Sequence, residues 1–382
     1  MRWARTLLSA FPIVAMAAVV ATSVHARDLR HAIGYPPNSI GSKAADMYAD
    51  AVSEFSGGKL KAKVYPLSLL NFLETSEGLR DGIADSGVIL LPYFQAEFPS
   101  SNMIAELSML PELTGIAPDD AGMAFGGAFS EYLFNHCPEC LTEFGKQNQV
   151  FIGASASSPY YLLCNKPVFS VEEAQGKRLR AGGAQWSRWA SAVGATSVTM
   201  SVNEIYDGLS QGVVDCTIQS APELTIFKLM EVSSHITLAA PGGVFAGTNN
   251  MNKDSWSRLS EDERRAVLRA SAVTNGQITW MYREGALRNL ETARNDGKIE
   301  VRDADDSLVQ ASRKFIEADS VAVPASYRER HGVTRADDMV KTFQPILQKW
   351  AGLVGTVESG QDLVDLYWNE VFSKVDVKAH GM

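Results

Sequence analysis

The chain is poor in the residues that most enzymes use to do chemistry. Histidine occurs six times in 382 residues, and His25, His31, His136, His235, His331 and His380 are scattered without a ligand-like spacing. The strings G-x-S-x-G, H-E-x-x-H, the P-loop and G-x-G-x-x-G are all absent. Their absence argues against a nucleophile elbow, a zinc hydrolase, a phosphate cradle and a dinucleotide site. The expectation is a non-enzyme with no cofactor and no metal. Basic blocks are missing too. The formal charge is −9, becoming −11 if a leader carries away Arg2 and Arg5, so nucleic acid is not an expected partner. Past the N-terminus, no apolar run reaches the roughly 18 residues of a spanning helix.

What is present begins with a leader. Arg2 and Arg5 precede the apolar run 7–21, and Val24-His25-Ala26 supplies small residues in the pattern of a cleavage site. Ser9 and Pro12 interrupt the run, so residues 1–26 read as a cleaved signal peptide and the exported, soluble chain starts at Arg27. No cysteine lies near that point to take a lipid anchor. The four cysteines are Cys137, Cys140, Cys164 and Cys216. Cys137-Pro-Glu-Cys140 has the spacing of a thiol oxidoreductase or half a zinc site, but no strand leads into it, and a local structural disulfide at a helix end is preferred. Cys164 and Cys216 stand alone.

Along the exported chain, strand and helix patterns alternate. A strand from Arg27 leads to a Pro36–Ser39 turn, then a helix with Ile40, Ala44, Met47, Ala51 and Phe55 on one face. Leu60, Ala62 and Val64 alternate with polar residues as a half-buried strand. A helical stretch over 74–83 and an apolar strand over 86–91 follow. A long helical stretch runs to about Gln147, and the rhythm restarts at Val150. This order predicts parallel sheets covered by helices, an α/β fold. About 356 residues after the leader fit two domains.

Two segments echo each other. Glu77 to Asp85 holds Gly82, two apolar residues and an Asp before a strand. Glu204 to Asp215 repeats the order with Gly212. Two similar lobes aiming strand ends at a shared crevice would explain the echo, since ligands of open α/β sheets sit beyond the carboxyl ends of the strands. The last third is helical. Ser260 with Glu263 and Thr334 with Asp337 read as capping boxes, and Pro345 falls inside a helical pattern. It predicts either a bent strut between the lobes or two helices meeting there.

The stretch GKRLRAGGAQW, 176–186, concentrates charge in an acidic chain. Alternation puts Arg178 and Arg180 on one side of a strand, with Arg178 nearer its start and more exposed. Arg180 falls at the carboxyl end, and Gly182-Gly183 lets backbone approach a ligand. A guanidinium fork suits a carboxylate. From this segment alone, a solvated strand end is the alternative.

The string VEEAQGKRLRAGG followed by WASAVGATSVTMSVNEIYDGLSQGVVD resembles the solute-binding proteins of TRAP (tripartite ATP-independent periplasmic) transporters. The carrying residues are Gly176, Lys177, Arg180, Gly194-Ala195, Met200, Glu204, Tyr206, Leu209, Gly212 and Asp215. Support comes from Gly57-Gly58-Lys59-Leu60-Lys61 through Pro66-Leu67, and from 252–260. The resemblance implies a bilobal periplasmic-binding-protein-like α/β fold with a hinge and long C-terminal helices. It also implies a periplasmic location, a small organic acid paired with Arg180, and delivery to integral-membrane permease subunits. Lobe I is expected over 27–155 plus about 244–300, and lobe II over 156–243 plus about 301–382.

Departures from the family pattern bear on the ligand. Tyr160-Tyr161 stands where family members often carry another arginine, 238–241 replaces a segment of the sialic-acid branch, and Cys216 replaces a glycine. These point to a less polar acid, with Tyr93, Tyr160, Tyr161, Trp186 and Phe245 as an aromatic wall. Asn38, Gly242 and Ser220 are further candidate contacts. Glu204 either caps its helix from Ser201 or orients Arg180 from behind. The alternatives are a binding protein for an ABC importer or signalling receptor, or a periplasmic thiol enzyme using Cys137 and Cys140.

Overall fold

The computed structural model describes residues 26–382; the leader and its cleavage site lie almost entirely outside them. In chain order the strands are β1 (Arg27–Ile33), β2 (Leu60–Pro66), β3 (Ser86–Ile89), β4 (Gln149–Ala156), β5 (Tyr160–Cys164) and β6 (Arg178–Ala181). There follow β7 (Thr196–Thr199), β8 (Cys216–Ser220), β9 (His235–Pro241), β10 (Ala246–Asn252) and β11 (Glu300–Asp303). They form two sheets, ordered β2-β1-β3-β10-β4 and β11-β9-β5-β8-β6-β7.

The sheets share one plan. Each starts with a parallel trio, β2-β1-β3 or β7-β6-β8. Each then accepts an antiparallel strand on the other side, β10 beside β3 and β5 beside β8. The chain passes between sheets at 156–160 and 241–246, where Ser157 N–H donates to Phe245 O at 2.8 Å and Tyr160 N–H to Gly243 O at 2.9 Å. These paired crossings form a two-stranded hinge.

The echo in the sequence is a shared clamp. Asp85 accepts from Arg30 backbone N–H at 2.8 Å and Nε at 3.0 Å. Asp215 accepts from Arg178 N–H at 2.9 Å and Nε at 3.1 Å. Lys166 adds a third contact to Asp215 at 2.6 Å. Gly82 and Gly212 end the preceding helices at φ 72° and 66°, a left-handed turn that only glycine takes without cost. Arg178 is thus half-exposed and occupied in holding a strand start, and Arg180 alone is free for another task.

Helices cover the outer faces. The 36-residue helix Glu261–Asp296 opens with the expected Ser260–Glu263 capping box and runs behind both sheets. Thr274 Oγ1 donates to Ala44 O on the first lobe, and Asn289 Nδ2 to Ala221 O on the second. This helix, not the one holding Pro345, is the strut between lobes. Helix Ala336–Leu353 continues through Pro345 and starts without a side-chain cap, so Thr334 and Asp337 form no capping box. It packs on the first lobe, with Phe343 edge-on to Phe125 and Tyr132. Helix Gly360–Glu370 joins the same core through Leu363 and Tyr367. Residues 336–370 therefore depart from their expected place in lobe II, because their apolar faces match the helix Ala121–Asn135 rather than the second sheet.

Two smaller differences have local causes. The helical stretch expected up to Gln147 breaks into Ala121–Asn135 and Pro138–Lys146, since Pro138 has no N–H for the preceding turn. Cys137 caps the second helix and is disulfide-bonded to Cys140. Cys164 and Cys216 are also joined, directly across the β5–β8 pair. Local spacing gave no sign of this bond, whose ends lie 52 residues apart.

Two stability outcomes are expected. Asp215→Asn lowers stability at pH 7 by about 1–3 kcal/mol, the worth of charged hydrogen bonds at a buried acceptor. The arginine and lysine hold the Asp215 carboxyl well below the usual range. Its contribution is therefore present above about pH 4 and fades as the pH falls further. Thermal midpoints of wild type and variant converge from pH 5 towards pH 2. Selective loss of the Cys164–Cys216 bond, as in the paired Ser variant, lowers stability by about 4 kcal/mol for a loop of this length, measured by urea unfolding.

Candidate ligand cleft

Arg180 lies next to last in β6, beside Thr217 of β8 and Val198 of β7. Its side chain enters the space between the lobes. An ideal Cβ on Gly182 would stand 3.0 Å from both terminal guanidinium nitrogens, so that glycine gives the folded-back head its room. Arg180 is 1% exposed. Nε donates to Met200 O at 3.0 Å, Nη1 to Gln219 Oε1 at 2.9 Å and Nη2 to Tyr93 Oη at 3.1 Å. All three acceptors are neutral, and among the described residues Arg180 forms no ion pair. A buried charge without a counter-ion is costly, and an anion in the cleft would relieve it.

Tyr93 comes from the other lobe, on a 3-10 turn after β3. Its oxygen also accepts Val202 N–H at 2.9 Å. With two N–H groups on its lone pairs, the hydroxyl proton is free to point into the cleft. Asn203 Nδ2 to Gly34 O at 3.2 Å and Gln185 Nε2 to Ser108 Oγ at 3.1 Å are further contacts from the second lobe. These bonds draw the two lobes together around an empty space of about 550 Å³.

The walls are aromatic. Tyr35, Phe72 and Tyr93 line the first-lobe side, Phe227 and Val202 the second, and Tyr160, Phe245 and Ser157 the hinge. Trp186 stacks behind Tyr160 at 4.4 Å and is wholly buried, its Nε1 donating to Gly242 O at 3.0 Å. Of the sequence candidates, Arg180, Tyr93, Tyr160 and Phe245 meet at the cleft. Trp186 and Gly242 support the wall from outside the lining. Tyr161, beside Tyr160 on β5, is not in the lining; it is buried in a cluster with Leu163, Leu290 and Ala293. Asn38 sits exposed in a left-handed turn. Glu204 is exposed and closes a capping box with Ser201, which accounts for it without Arg180. Ser220 turns its hydroxyl to Glu223.

Sequence reasoning missed the acid. Glu223 is 3% exposed and lines the cleft with Gln219. Tyr282 donates to its Oε1 at 3.0 Å, and Tyr35 stands 3.2 Å from the Tyr282 oxygen. Burial pushes the Glu223 carboxyl up to about 7. Gln219 is next to last in β8 and Glu223 follows its carboxyl end, the same signal that singled out Arg180. Tyr282 sits mid-helix with no local signal.

Tyr93→Phe removes the acceptor that joins Arg180 and Val202 across the lobes. The expected result is a smaller ligand-induced rise in thermal midpoint with a near-normal apo midpoint, read by differential scanning fluorimetry.

The model of the family described as "bacterial extracellular solute-binding protein, family 7", DctP, matches residues 31–319. A solute-binding protein of Albidiferax ferrireducens is 24% identical over 228 residues, 59% of this chain and 64% of that relative. Among solved structures, a marine metagenome TRAP solute-binding protein specific for aromatic acid ligands superposes with a TM-score of 0.72 at 18% identity, over 85% of this chain and 99% of that one. A TRAP periplasmic solute-binding protein from Bordetella bronchiseptica with bound mandelate gives 0.70 at 20% identity, over 84% and 99%. Among the described residues no helix is long and apolar enough to cross a membrane. The bilobal fold, the interlobe cleft and the family match together place this chain in family 7 of the bacterial extracellular solute-binding proteins, the TRAP type.

Proposed function

We propose that the protein captures a small organic acid in the interlobe cleft, through an Arg180–carboxylate pair, and delivers it to the membrane subunits of a TRAP permease from the periplasm. The observation behind this reading is a guanidinium 1% exposed, facing the cleft, with only neutral partners. A bidentate carboxylate supplies the missing charge and contributes about 1.5–3 kcal/mol per charged hydrogen bond. The aromatic walls suit a body that is flat or partly apolar, and the relatives bound to mandelate or specific for aromatic acids are in keeping with that. Lobe closure is the working motion: a ligand touching both lobes favours the shut state by its differential affinity. Cys137 and Cys140 are bridged and buried in the first-lobe core, remote from these residues in the fold.

Arg180→Ala is expected to abolish the thermal shift produced by the binding acid in a screen of organic acids. The apo midpoint should hold or rise, because an uncompensated buried charge has gone. A full ligand-induced shift in Arg180→Ala refutes the assignment.

A further inference from the structure

The cleft has a second polar end, opposite in character to the first. Glu223 follows β8 at the start of a four-residue helix. Each of its oxygens already takes one hydroxyl proton, from Ser220 and from Tyr282. Ionised, as it is above a pH of about 7, Glu223 has further lone pairs and nothing to donate, so the groups it can still satisfy are donors. Glu223 and Arg180 both line the space but form no ion pair with each other among the described residues, and Tyr160 feels the charge of both. Gln219 lies between them, accepting from Arg180 and standing beside Glu223, so a cation and an acceptor face the same aromatic-walled cleft.

Resting on the reading of Arg180 as the carboxylate partner, we propose that Glu223 makes the site selective for monocarboxylates bearing a second group that donates a hydrogen bond, a hydroxyl or N–H. A second carboxylate there meets a buried acid, and like charges in a dry site repel. An unsubstituted acid leaves the Glu223 lone pairs facing carbon, with the desolvation of a buried polar group uncompensated. The Ser220 and Tyr282 hydroxyls hold the carboxyl in place and give the donor a fixed target.

The test is calorimetric titration at about pH 8.5, where Glu223 is ionised, with two matched frames. One is phenylacetate, 3-hydroxyphenylacetate and 3-carboxyphenylacetate. The other is cyclopentanecarboxylate, pyroglutamate and cyclopentane-1,3-dicarboxylate. In whichever frame fits, the donor-bearing acid is expected to bind at least about tenfold more tightly than its two companions. Glu223→Gln reverses the order: the amide donates to a second carboxylate, so the diacid gains and the donor-bearing acid loses about tenfold. A wild type that binds the diacid or the unsubstituted acid equally well overturns this inference while leaving the carboxylate reading intact. So does an unchanged order in Glu223→Gln. Should that variant fail to fold, the wild-type order alone decides. No binding in either frame overturns both readings, and binding that survives Arg180→Ala overturns the carboxylate end.

Discussion

A guanidinium held out of water among neutral oxygens is an electrostatic deficit, and the cleft is organised around it. Three elements keep Arg180 where it is. The turn after β7 offers Met200 O, β8 the Gln219 side-chain oxygen, and the first lobe Tyr93 Oη. Each gives a hydrogen bond, and none gives a charge. The acceptors satisfy the N–H groups without neutralising the ion, so the site remains receptive to an anion. A nearby aspartate would have stabilised the empty protein and closed the site to carboxylates. The chain does hold such an aspartate, Asp215, but spends it on Arg178 and Lys166 at the opposite end of the strand.

That division of labour between two arginines two residues apart depends on the lobe plan. The strand starts are clamped by Asp85 and Asp215 through the same pair of bonds, backbone N–H and Nε. The strand ends are left to face the cleft. Only one lobe has armed its strand end with a cation. The other answers with a tyrosine hydroxyl and apolar rings, which carry no charge to compete for the ligand. The long helix behind both sheets ties one lobe to the other, and the paired crossings near Ser157 and Phe245 make the hinge between them.

Much of this plan was legible because it is periodic. Alternation at 60–64, the helical face from Ile40 to Phe55 and the glycine–aspartate echo are local signals, and the elements formed where they pointed. Arg180 was legible for the same reason, being a charge at a strand end followed by two glycines. The misses share a cause. Whether Tyr160 or Tyr161 faces the cleft turns on which side of β5 packs on the core, and a strand buried on both faces gives no alternation to decide it. The Cys164–Cys216 bond and the place of helix Ala336–Leu353 are facts of pairing between distant segments. Glu223 was hidden because an acid beside a proline and a short helix reads as a cap until burial shows otherwise.

The strand order carries a further consequence for how the molecule comes to exist. In the first sheet, β3 and β4 do not touch; β10 lies between them and pairs with both. Until residues 246–252 have emerged from the ribosome, the strand that joins β3 to β4 is missing, and the facing edges of those two have no partners. The first sheet therefore closes only after the strands β5 to β9 of the second have been made.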